Sequence, residues 1–69
     1  MREEQDQREL AEILGELDGL AAELAFLEAR IPRLVRHDAV AVARIVATRT
    51  RIRSRMDQLR QQLGDHETR

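Results

Sequence analysis

From Arg49 to Arg55 an arginine stands at every second position: Arg49, Arg51, Arg53 and Arg55. Guanidinium groups neutralise phosphates and displace their counterions, so this stretch is the one best suited to RNA or DNA. Arg49, Arg53 and Arg60 would make that contact. On a helix, however, the same residues read differently. At about 100° per residue, Arg44, Arg51 and Arg55 fall on one side of an apolar stripe, and Arg49, Arg53 and Arg60 on the other. Coiled-coil flanks have this arrangement and pair with carboxylates on a facing helix. The chain has no lysine, no Trp or Tyr for base stacking and a net charge of −1, all of which favour pairing over nucleic-acid contact.

Other residues that could do chemistry are sparse. The two histidines, His37 and His66, are far apart in sequence and lack a cysteine or a helical His-x-x-x-His pair, so no metal site is expected. Ser54 is the only serine and lies among arginines without a base at useful spacing. No carboxylates stand out as an acid/base couple. Gly15, Gly19 and Gly64 do not make a phosphate-cradling loop. The expectation is a protein without catalytic residues, cofactor or metal.

The elements that position these groups follow from periodicity. Leu10, Leu17, Leu24 and Ile31 recur at seven, as do Ile13, Leu20, Leu27 and Leu34 three places later. Four such heptads predict a coiled-coil seam, with Glu9, Glu16 and Glu23 along one flank. Pro32, the only proline, disfavours helix at Ile31 and removes an amide donor, so the first helix should end or kink there. Asp38 can cap a second helix. That helix is apolar at Ala41, Ile45, Ile52, Met56, Leu59 and Leu63, and Gly64 should close it as a C′ residue. The predicted bounds are helix 1 over about 3–31, a turn within 31–38, helix 2 over about 39–63 and a polar tail over 64–69.

Charge supports an antiparallel pairing. Residues 1–28 carry nine carboxylates against Arg2 and Arg8, whereas residues 29–63 carry nine arginines against Asp38 and Asp57. One arginine flank would face Glu9, Glu16 and Glu23, leaving the other unused. A second surface is left over too. Gly15, Gly19, Ala22, Phe26 and Ala29 follow one another away from the leucine seam, and Ala39, Val40, Ala43, Val46 and Ala47 give helix 2 a similar face.

Size makes that surplus matter. Sixty-nine residues with one aromatic, Phe26, and no cysteine can hold one small domain without disulfides. A core of this size rarely supplies more than ~3–5 kcal/mol, and partner subunits are the usual supplement. The amino terminus lacks an apolar signal segment, and Ala39–Thr48, interrupted by Arg44, is about half of the ~20 residues a membrane span needs. A cytoplasmic, membrane-free protein is expected. The use of arginine for all twelve basic residues suggests a GC-rich bacterial or phage genome.

Two family resemblances can be traced. The run from Glu16 to Leu27, continuing to Leu34 and Val35, looks like the first helix of the all-helical chorismate mutases, over about twenty residues of mostly leucine periodicity. That family folds as an intertwined helical dimer and binds a dicarboxylate with arginines. Ile31 stands where its mid-helix arginine belongs, with Arg30 one place away, so the activity is not carried over. Leu24, Phe26, Glu28, Ile31 and Leu34 are also similar to the short coiled-coil SlyX proteins, which usually continue without a proline.

These features predict an all-α protein, an antiparallel two-helix hairpin assembling as a dimeric four-helix bundle or larger helical oligomer. Its function would be non-enzymatic: oligomerisation, or docking of another helical protein. The expected interface comprises Leu10, Ile13, Leu17, Leu20, Leu24, Phe26, Leu27, Ile45, Ile52, Met56, Leu59 and Leu63. A nucleic-acid regulator is the alternative. An enzyme with Arg30, Arg44 and Arg51 around an anionic substrate is a third.

Overall fold

In a computed structural model that describes residues 2–67, with side chains for 3–66, the chain is two helices packed against each other as a hairpin. Helix α1 spans Arg2–Leu34 and helix α2 spans Ala39–Glu67. The cross-hairpin contacts Glu9 to His66, Glu16 to Arg55 and Glu28 to Arg53 run in opposite order along the two helices, so the pairing is antiparallel.

The seam is where the heptads put it. Ile13, Ile45, Ile52, Met56 and Leu59 are buried, and Leu59 is the deepest at 2% exposure. Leu10, Leu17, Leu20, Leu24, Leu27, Ile31, Leu34 and Leu63 are half-buried beside them. A two-helix contact covers only one side of each leucine, which is why so few residues are enclosed.

Both helices outrun their sequence-based ends. α1 passes through Pro32 and stops at Leu34. Pro32 lies in the final turn, so it forfeits a single amide bond, the one Glu28's carbonyl would have accepted. The Val35 amide still donates to the Ile31 carbonyl at 2.9 Å, and those of His37 and Asp38 both donate to Leu34, at 3.0 and 2.8 Å. Asp38 then starts α2, its Oδ1 accepting from the Ala41 amide at 3.0 Å, which satisfies one of the orphan donors of a helix start.

Gly64 does not terminate α2. It is helical, no glycine among the described residues has a positive φ, and the helix continues to Glu67. A mid-helix glycine costs about 1 kcal/mol relative to alanine. The turn it sits in is held from outside, because Leu63 and His66 on either side of it are half-buried against α1. The polar tail is therefore helix as far as Glu67, while Thr68 and Arg69 lie outside the described residues.

The hairpin is long and thin, 54 × 15 × 12 Å. Its radius of gyration is 16.0 Å, against about 11 Å for a compact chain of this length. No helix among the described residues is long and apolar enough to cross a membrane.

Candidate functional site

The arginines of α2 divide as flanks should, but both flanks engage α1. On one side the Arg55 guanidinium holds the Glu16 carboxylate in a two-pronged bond, Nε to Oε2 at 2.8 Å and Nη2 to Oε1 at 3.2 Å. On the other, Arg53 donates from Nη2 to Glu28 Oε1 at 2.8 Å. The flank that sequence left unused thus reaches a carboxylate outside the predicted acidic row. Within that row, among the described residues, only Glu16 meets an arginine. Glu9 faces His66 instead, and Glu23 makes no ion pair among the described residues.

Of the three residues suited to phosphate, Arg53 is thus tied to α1, and Arg60 lies 3.6 Å from Asp57 one turn earlier on its own helix. Arg49 is half-buried and makes no ion pair among the described residues. Two of the three guanidiniums already have carboxylates, and displacing those carboxylates would offset part of what a phosphate contact gains. Thr48 and Thr50, flanking Arg49, donate their hydroxyls back to the Arg44 and Val46 carbonyls at 3.0 Å each.

Near the turn, Arg30, Asp38, Val40, Ala41, Arg44 and Ile45 surround an open hollow of about 290 Å³. Arg30 stands over the Phe26 ring at 5.9 Å from its centroid, a cation–π contact. Arg51, the third arginine proposed for an anionic substrate, does not line this hollow.

The predicted interface residues part into two groups. Leu10, Ile13, Leu17, Leu20, Leu24, Leu27, Ile45, Ile52, Met56, Leu59 and Leu63 are buried or half-buried within the hairpin itself. Phe26 is 66% exposed, as are Val40 at 63%, Val35 at 57% and Leu14 at 52%. Leu14 falls outside the heptad register, so seam reasoning passed over it. Its signal was the apolar spacing Leu10, Leu14, Leu17. A Cβ added at Gly15 or Gly19 would meet nothing within 4 Å. Those glycines therefore relieve no crowding inside the hairpin.

The open end of the hairpin gathers what sequence kept apart. His66 Nε2 lies 3.2 Å from Glu9 Oε2, and Asp6 joins them, with one donor atom from each residue within 4.8 Å of the others. Glu9 and His66 stand 57 positions apart in the sequence. Only the antiparallel turn and the continuation of α2 past Gly64 unite them.

No protein-family model, no curated protein and no solved structure matches this chain.

Proposed function

We propose that this chain is a non-enzymatic self-association module: a helical hairpin whose outward faces are covered by a second copy of itself. One observation carries the reading. The hairpin exposes 5801 Å², whereas a compact protein of its mass exposes about 4,500 Å². The difference, about 1,300 Å² for each chain, is more than the ~800 Å² that a standard interface removes from each partner.

The exposed surface also has the right character. Around α1, opposite the seam, lie Ala11, Gly15, Gly19, Ala22, Phe26 and Ala29, with Asp18 the only charge on that sector between Ala11 and Pro32. Small residues there permit another helix to approach closely, and Phe26 supplies a large side chain for a pocket. A cyclic two-fold dimer makes each surface its own complement and closes without leaving a sticky end. A four-helix assembly of two hairpins satisfies this.

Sedimentation equilibrium or multi-angle light scattering at micromolar concentration tests the reading. A mass of twice 8.0 kDa is expected. A folded species at 8.0 kDa defeats it.

A further inference from the structure

We propose that Asp6, Glu9 and His66 form a binding site for a divalent first-row transition cation, of which Zn²⁺ is the best-fitting example. The residue types are those such a cation selects: one imidazole nitrogen and two carboxylates, with no thiolate. Asp6 and Glu9 stand three places apart on α1 and share a face, and His66 arrives from the last turn of α2.

The Glu9–His66 distance already suits a tetrahedral ion. With metal–ligand bonds of about 2.0–2.2 Å, two ligands of a tetrahedron are separated by roughly 3.3 Å. Glu9 Oε2 and His66 Nε2 are already at 3.2 Å. The set spans up to 4.8 Å, and Asp6, which is exposed, would turn inward to close it. His66 is the anchored member, its side chain only 18% exposed.

The cluster holds one carboxylate more than an ordinary ion pair. A single imidazole nitrogen carries at most one proton and can donate to one carboxylate. Glu9 takes that bond, and the Asp6 carboxylate lies nearby without an ion pair to the ring. A divalent ion in place of the proton satisfies all three donors together. There is also room for the remaining ligands. An open hollow of about 320 Å³, lined by Glu9, Glu12, Ile13, Gln62, Asp65 and His66, adjoins the cluster and can hold coordinated water.

Such an ion would join the first turns of α1 to the last turn of α2, at the end of the hairpin where no loop connects them. It would bind only the folded chain and so stabilise it in proportion to its concentration. In a protein without cysteine this clip takes the place of a disulfide.

The test is Zn²⁺ titration of the full chain by isothermal calorimetry, with thermal melting followed by circular dichroism. One ion per chain and a melting temperature that climbs with Zn²⁺ are expected. His66→Gln should abolish both while preserving helicity. Asp6→Asn should weaken binding by at least the roughly tenfold that losing even an outer-shell partner costs. His37→Gln, at the other end of the molecule, should change neither. Absence of saturable heat and of any melting shift overturns the proposal. So does binding that survives His66→Gln or is lost with His37→Gln.

Discussion

Arg55 and Glu16, 39 residues apart, are joined across the hairpin by two parallel hydrogen bonds of 2.8 and 3.2 Å. The pair lies at the middle of the seam and is one of the contacts that match the register of α2 on α1. Paired forks of this kind add geometric specificity as well as energy. Both side chains remain more than two-fifths exposed, so solvent screens the attraction.

Removal of that pair should therefore cost little stability. A double-mutant cycle with Glu16→Gln and Arg55→Gln is expected to give a coupling of about 0.2–1 kcal/mol, shrinking as salt is added. Urea denaturation at two ionic strengths measures it. A coupling of several kcal/mol, indifferent to salt, would mean that the pair is far less hydrated than its exposure implies.

The seam should behave in the opposite way. Leu59 is the most enclosed side chain, and Leu59→Ala removes its methyl groups from the contact between helices. The expected loss is about 2–5 kcal/mol, enough to unfold a hairpin this small. Loss of the helical circular dichroism signal, or a large fall in the urea midpoint, is the readout.

Asp38 provides a smaller and cleaner test. Its carboxylate accepts from the Ala41 amide at 3.0 Å, and among the described residues no other side chain bonds to the first turn of α2. Asp38→Ala should cost about 1 kcal/mol by loss of the cap. Asp38→Asn or Asp38→Ser should retain most of it. Equal losses in all three variants would show that the cap does not hold the turn.

Gly19 distinguishes the hairpin from its assembly. Within the hairpin a Cβ there meets nothing, so Gly19→Ala should stabilise the isolated fold by about 0.5–1 kcal/mol through helix propensity. Gly19→Leu should leave helicity intact but block close approach by a second copy. Unchanged association in Gly19→Leu would move the interface to another face.

Much of the hairpin could be read in the sequence because its determinants are local or periodic. Ile13, Ile52 and Leu59 repeat with their neighbours at helical spacing, and such spacing places them on one face before any contact is known. Asp38 carries its own signal, a short acceptor beside an apolar run. The helix ends were less legible. Pro32 and Gly64 are helix-breaking types, but each of their costs is a kcal/mol or a few, and neighbouring contacts at Leu34, Leu63 and His66 outweigh it.

The candidate site was the least legible part. Phe26 could be picked out by type, yet Glu28 and His66 gain their partners only from the register of one helix on the other. That register depends on the whole seam and the turn length. No window of sequence contains Asp6, Glu9 and His66 together, so their convergence follows from tertiary structure alone.

The central claim is that a lone hairpin exposes more apolar surface than it can keep from water, and Phe26 is its largest exposed member. Sedimentation equilibrium of the wild-type chain beside Phe26→Ala tests this most directly. The wild type should sediment at twice 8.0 kDa, and Phe26→Ala should shift toward a helical monomer. A wild-type chain that is folded, melts cooperatively and sediments as a monomer at micromolar concentration would contradict the account.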